Sequence, residues 1–261
     1  MDDGNEFSKM GTAAYFKTGQ QQSCPSGSRE GKKGATYGEK TQEGVKYNVR
    51  TPLNYDSTVA HPLLVVYAPA KANRAKSERI TGLTYEATTA GFIIAYADHP
   101  DLSTSSSVEL GTIAKLMAKK WCIDEKRTYL TGHSDGGTVS MALAFMNGTK
   151  HIPTAIAPSA AGISYRDLSE HNCPAPISVM VMHSKIDRLF PDFGSESSGW
   201  WAACNDCSPI PKKLSNGCIA YSGCKNGVKT WYCEGDQPHS KWPHQNTVLL
   251  EFLASSTRIK K

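Results

Sequence analysis

Short apolar runs alternate with segments of helical spacing through most of this chain. Leu63 to Tyr67 and Phe92 to Tyr96 are continuous apolar runs, too short for helices and bounded by Pro or Gly. Such runs are typical of strands buried on both faces, as in a parallel sheet. The segment between them, Ser77 to Ala90, predicts a crossover helix.

The same alternation continues toward the C-terminus. Apolar residues recur at helical spacing from Val108 to Trp121, with lysines on the other face, which predicts an amphipathic helix packed on the sheet. Further strands are predicted at residues 127–130, 154–157, 177–183 and 229–233, and further helices at 138–145 and 246–254. Strands that alternate with helices predict an α/β fold, a mostly parallel sheet with helices on both faces.

The N-terminal part lacks this pattern. Residues 1–45 are rich in Gly, Ser, Gln and Lys, so we expect a loop-rich extension with an edge hairpin around Val45 to Val49. Residues 46–261 predict one domain, because a chain of this length can bury one large core. No apolar run approaches the roughly 18 residues of a membrane span.

Charge and cysteine content limit the classes of partner and compartment. The net charge is +5 and the lysine pairs are scattered, which argues against nucleic acid as a partner. The eight cysteines lack zinc-site spacing, so we expect disulfides of unassigned pairing and no metal. Disulfides indicate an oxidising compartment, and we interpret the chain as a secreted or periplasmic protein whose leader is absent.

A Gly-x-Ser-x-Gly motif carries the candidate chemistry. Gly132-His133-Ser134-Asp135-Gly136 follows a predicted strand and precedes a predicted helix. In that context the motif predicts a nucleophile elbow, a strained turn that exposes a reactive serine at the edge of the sheet. The alternative is a glycine-rich turn with a solvent-facing serine.

A serine nucleophile needs a base and an orienting acid, and two later loops supply candidates. Asp187 follows the predicted strand 177–183, and Asp192 is an alternative farther from the strand end. His239 follows the strand 229–233, and His244 is its alternative. We favour Asp187 and His239, since the order serine, acid, histidine at the carboxyl ends of strands fits an acyl-transfer triad.

The chemistry assigns each side chain a role. Ser134 would attack, His239 would take and return its proton, and Asp187 would orient the imidazole and stabilise its cation. Such chemistry needs no cofactor. We interpret His183 as a structural residue at the end of its strand.

An oxyanion hole requires two backbone donors. One should be the N–H of Asp135, directly after the nucleophile. The second should come from the loop after the first buried strand, where Pro69 has no N–H and Ala70 is the candidate.

Four side chains are candidates for substrate binding. His133 should shape the pocket, and Trp242 should pack beside His239. Trp200 and Trp201 lie between acid and base in a segment rich in Gly, Ser and Cys, which we interpret as a loop overhanging the site. They would either stack on a phenolic acid or sugar, or pack beneath that loop as a small core.

These motifs resemble the polyhydroxybutyrate depolymerase-like esterases, a group that includes bacterial feruloyl and acetylxylan esterases. The resemblance covers roughly residues 47–252 and rests on the segment 123–137, on His183 to Asp187, and on His239 three residues before Trp242-Pro243. It implies an α/β-hydrolase fold, the triad above and a disulfide between Cys207 and Cys224. The chain departs from the family at Ala68-Pro69, where relatives have His-Gly, which affects the oxyanion loop.

The sequence therefore predicts a secreted serine carboxylic-ester hydrolase that works through an acyl-enzyme. The substrate would be a small or polymeric ester of hydroxyalkanoate, ferulate or acetate type, and the protein would be a monomer with no nucleic-acid or membrane partner. Two alternatives are a non-catalytic binding protein on a hydrolase scaffold and an acyltransferase using the same triad.

Overall fold

A computed structural model describes residues 9–14 and 23–256, and these residues form a ten-stranded sheet flanked by helices. The strands are β1 (Ala35–Lys40), β2 (Lys46–Arg50), β3 (His61–Tyr67), β4 (Ile93–Ala97), β5 (Ile123–His133), β6 (Ala155–Ser159), β7 (Ser178–Ser184), β8 (Lys212–Lys213), β9 (Ile219–Tyr221) and β10 (Thr230–Gly235). The helices are α1 (Arg74–Thr81), α2 (Thr84–Thr89), α3 (Thr104–Lys120), α4 (Asp135–Phe145), α5 (Tyr165–Ser169), α6 (Phe193–Cys204) and α7 (Asn246–Ala254), with one 3-10 turn at Lys225–Gly227.

The sheet is parallel at its centre and antiparallel at both edges. The strand order is β1-β2-β4-β3-β5-β6-β7-β10-β9-β8, and neighbours from β4 to β10 in this order run parallel. β1 and β2 form the edge hairpin on one side, and β9 and β8 extend the other side. The carboxyl ends of β5, β7 and β10 therefore point toward one edge, where their following loops can meet.

Helices cover both faces of this sheet. In β3, Leu63 and Val65 pack into a core shared with α3, α4 and α6, whereas Leu64 and Val66 pack into a second core shared with α2 and α7. This period of two, with every position buried, explains why the strand is a continuous apolar run. The predicted α/β fold class is confirmed.

The predicted crossover helix at residues 77–90 is wrong in one respect, because two helices replace it. Gly82 ends α1 in the left-handed conformation, with φ of 59°, and its N–H bonds the carbonyl of Glu78. A glycine in that conformation closes a helix without steric cost, so the chain turns before α2 begins.

Four disulfides connect loops to one another and to neighbouring elements, including β10 and α6. The pairs are Cys24–Cys122, Cys173–Cys204, Cys207–Cys224 and Cys218–Cys233, which account for all eight cysteines. Cys207–Cys224 is the pair that the family resemblance implies. Within the described ranges, no helix is long and apolar enough to cross a membrane.

Candidate active site

Ser134 occupies a sharp turn between β5 and α4. Its backbone has φ of 55° and ψ of −120°, which side-chain-bearing residues rarely adopt, and its N–H bonds the carbonyl of Ser159 on the neighbouring strand. A Cβ on Gly136 would lie 2.0 Å from the backbone oxygen of Tyr67. The motif therefore needs glycine at that position, because the start of α4 packs directly against the end of β3.

The structure brings Ser134, His239 and Asp187 together at the carboxyl edge of the sheet. The Nε2 of His239 lies 3.0 Å from the Oγ of Ser134, and its Nδ1 lies 2.7 Å from the Oδ2 of Asp187. A carboxylate only accepts hydrogen bonds, so Nδ1–H donates to Asp187 and Nε2 is left to accept the serine proton. This tautomer is the one that general-base catalysis requires.

Asp187 is held as a carboxylate in a buried position. Its side chain has no exposed surface, and its Oδ1 accepts hydrogen bonds from the N–H groups of Leu189 and Phe190 at 2.9 and 3.1 Å. Burial alone would raise the pKa of Asp187, but the hydrogen bonds from His239 and from these two amides outweigh it and lower the pKa below its ordinary value. The group stays ionised at neutral pH.

His183 supports the loop that carries the acid. Its Nε2–H donates to the carbonyl of Phe190 at 2.9 Å and lies 3.5 Å from the Oδ2 of Asp187. Burial lowers the pKa of His183, although the nearby Asp187 carboxylate opposes that shift. The ring therefore acts as a neutral donor within this loop.

The alternative acid and base lie elsewhere. Asp192 is exposed and starts α6 in the left-handed conformation, with φ of 65°. His244 is exposed beyond Trp242. The imidazole of His239 contacts Ser134 on one side and Asp187 on the other.

The prediction that His133 binds substrate is wrong. It is 4% exposed, and its Nε2 and Nδ1 lie 2.6 Å from the carbonyl oxygen of His239 and 3.0 Å from the Oγ of Ser159. Burial lowers the pKa of His133 to about 4. Both ring nitrogens are thus occupied inside the protein, so neither is available to bind a substrate.

The prediction that Trp200 and Trp201 overhang the site is also wrong. Both lie on α6, are 7% and 0% exposed, and join the core on one face of the sheet. Their rings meet edge to face, and Trp200 packs against Phe145 in the same way. The segment forms a helix because it buries these large side chains, and the structure supports the alternative in which they are core residues.

Trp242 is also buried and packs beside the site rather than facing a substrate. It is 5% exposed, its ring centroid lies 6.0 Å from that of His133, and its Nε1–H donates to Asn246 at 2.8 Å. It therefore supports the loop of His239 from within the protein.

Two residues near the nucleophile were not found from the sequence. His99 lies just after β4, and its Nε2 is 2.9 Å from the Oδ2 of Asp135. Phe190 is half-buried, and its ring meets His239 edge to face with centroids 5.0 Å apart. His99 could have been noticed in the sequence because it closely follows a buried strand. Phe190 could have been noticed because it lies three residues after the candidate acid, Asp187.

The predicted oxyanion donors remain predictions. The N–H of Asp135 lies in the first turn of α4, where helix amides carry partial positive charge. Ala70 is exposed in the loop after β3. Among the residues that the structure describes, no group of three or more His, Cys, Asp or Glu side chains is arranged to hold a metal ion.

Comparisons with known proteins agree with this architecture. The chain is 25% identical over 221 residues to feruloyl esterase B of Piromyces equi. The matched region covers 72% of this chain but only 41% of that relative. An acetyl xylan esterase from Aspergillus awamori superposes with a TM-score of 0.65 at 13% identity, over 84% of this chain and 98% of that one. A truncated carbohydrate esterase from gut microbiota superposes with a TM-score of 0.62 at 11% identity, over 88% of this chain and 98% of that one.

No family model matches the chain. The structural likeness at these low identities establishes the fold, and the sequence match agrees with the feruloyl-esterase part of the resemblance found from the motifs. The polyhydroxybutyrate depolymerase part stays a prediction. The chain therefore has the α/β-hydrolase fold, and its sequence is similar to feruloyl esterase B over less than half of that relative's length.

Proposed function

We propose that this protein is a serine carboxylic-ester hydrolase that works through an acyl-enzyme. One observation carries the proposal: a single imidazole, His239, lies within hydrogen-bond distance of both Ser134 and the buried carboxylate Asp187. That arrangement favours catalysis over the alternative of a non-catalytic binding protein, because a binding surface does not require a base aligned on a strained serine.

The geometry supports the following reaction. As the Oγ of Ser134 attacks the ester carbonyl carbon, its proton passes to the Nε2 of His239, and the carbonyl oxygen becomes an oxyanion near the first turn of α4. The imidazolium, stabilised by Asp187, then protonates the leaving alcohol oxygen as the carbon–oxygen bond breaks. Water then attacks the acyl carbon and gives a proton to His239. As the bond between that carbon and the Oγ of Ser134 breaks, His239 passes this proton to Oγ and the carboxylic acid leaves.

The substrate and the location are parts of this proposal. The sequence relative is a feruloyl esterase, and the structural neighbours are an acetyl xylan esterase and a carbohydrate esterase, which supports feruloyl or acetyl esters of carbohydrates as the substrate class. Four disulfides support an oxidising, secreted or periplasmic location. We expect a monomer that needs no cofactor.

An ester panel tests the proposal. Methyl ferulate, acetylated xylan, short p-nitrophenyl esters and polyhydroxybutyrate film are compared for the wild type, Ser134→Ala and Ser169→Ala, the last being an exposed serine that serves as the matched control. We expect turnover of at least one ester by the wild type and the control, and none by Ser134→Ala with unchanged circular dichroism. Undiminished turnover by Ser134→Ala would refute the assignment.

A further inference from the structure

The ring of His133 joins the loop of His239 to the nucleophile elbow. A carbonyl oxygen can only accept, so the 2.6 Å contact with the backbone oxygen of His239 places a hydrogen on Nε2 of His133. In the neutral ring Nδ1 then has a lone pair, which accepts the hydroxyl proton of Ser159 at 3.0 Å. One neutral tautomer therefore satisfies both contacts.

Ser159 connects this ring to the nucleophile by a second route. Its hydroxyl bonds His133, and its backbone carbonyl accepts the N–H of Ser134 at 2.9 Å. Ser159 is 1% exposed and ends β6, the strand beside β5. His133 is thus anchored between the ends of two buried parallel strands.

The loop on the other side of the contact lies outside the sheet, with Trp242 packed beneath it. Residues 236–245 connect β10 to α7 without forming a helix or strand, and a turn from the N–H of Lys241 to the carbonyl of Pro238 spans His239. The imidazole must nevertheless reach Ser134 and Asp187 at the same time. Its position depends on the backbone of residue 239, and His133 binds that backbone directly.

We propose that His133 is a positioning residue that fixes the backbone of His239, and through it the imidazole, against Ser134 and Asp187. This inference rests on the proposed function. A displacement of about 1 Å in a reacting group can cost roughly a hundredfold in rate, so a single well-placed hydrogen bond can matter greatly. Because His133 is buried, a direct contact with substrate does not explain such an effect.

Two substitutions separate positioning from simple packing. His133→Leu fills a similar space and removes both polar contacts, whereas the amide of His133→Gln can still donate to the carbonyl of His239. We expect His133→Leu to lower kcat per titrated active serine by about a hundredfold with KM changed less than about threefold, and His133→Gln to stay within about tenfold of the wild type. Equal losses in both variants, or a wild-type kcat in His133→Leu, would overturn the proposal.

Hydrogen exchange gives a readout that does not depend on ester turnover. Amides of residues 236–242 should exchange faster in His133→Leu than in the wild type or His133→Gln, and unchanged exchange overturns the proposal whatever the kcat. If the wild type hydrolyses no ester, the proposed function fails while exchange still decides whether His133 holds the loop.

A third variant covers the case in which His133→Leu does not fold. Ser159→Ala removes the hydroxyl that is bonded to Nδ1, so the ring of His133 loses one of its two polar contacts and is held less firmly against the carbonyl of His239. We expect exchange in residues 236–242 to rise above the wild-type rate. An unchanged exchange rate in residues 236–242 would overturn the proposal that His133 fixes the backbone of His239.

Discussion

Acid should destabilise this protein through His133, and the effect can be isolated. The pKa of His133 is lowered from 6.5 to about 4 by burial, with smaller influences from His239, Asp187 and His183. Between these two values an unfolded chain binds the proton and the folded protein does not. Stability is therefore complete above pH 6.5 and is lost as the pH falls toward 4.

The size of this loss follows from the two pKa values. A separation of one pH unit corresponds to about 1.4 kcal/mol, so the difference between 6.5 and about 4 predicts a loss of about 3 kcal/mol from this residue. The ring is 4% exposed, so solvent screens the effect little. A loss of that size is a substantial part of the stability of an ordinary domain.

The assay is urea unfolding with the disulfides intact, at a series of pH values from 7 to 4. His133→Gln is the matched control, because it keeps every other titrating group, including His183 and Asp187, whose lowered pKa values also weaken the fold in acid. The unfolding free energy of the wild type should fall about 3 kcal/mol further than that of the variant over this range. Parallel curves for the two proteins would refute the reasoning.

Three further predictions concern the triad, the elbow and a disulfide. Asp187→Asn should lower kcat on p-nitrophenyl acetate about ten-thousandfold, since an amide does not stabilise the imidazolium, and a loss below tenfold contradicts its role. Gly136→Ala should lower the free energy of unfolding by at least about 2 kcal/mol, measured in urea, because its Cβ meets the backbone of Tyr67, and an unchanged midpoint contradicts that contact. Replacing Cys24 and Cys122 by Ala should lower the free energy of unfolding by about 3–5 kcal/mol, because their disulfide closes a loop with a sequence separation of 98. Equal urea midpoints for the variant and the wild type would contradict this.

The placement of the candidate triad was accessible from the sequence for a physical reason. Strands buried on both faces are continuous apolar runs, so their carboxyl ends can be located along the chain. In a parallel sheet those ends share one edge, and Ser134, Asp187 and His239 each follow such an end. Local pattern and global topology therefore agree at these three positions.

Other features depend on contacts that no local pattern records. The segment with Trp200 and Trp201 is rich in Gly and Ser, which favours a loop, yet burial of both indoles against the sheet stabilises a helix there. The bond from His133 to His239 joins residues 106 positions apart, and its partner is a backbone carbonyl that any residue type supplies. The end of α1 at Gly82, in contrast, was predictable from the sequence, because a glycine within a helical pattern often ends the helix.

The central claim is that Ser134 is a nucleophile activated by His239. Incubation with a fluorophosphonate probe, followed by intact mass measurement and peptide mapping, tests it most directly, because only an activated serine reacts readily. We predict one probe per molecule of wild-type protein, located on Ser134, and a much slower reaction in His239→Ala. No labelling of the folded wild type, or labelling at another serine, would contradict the account.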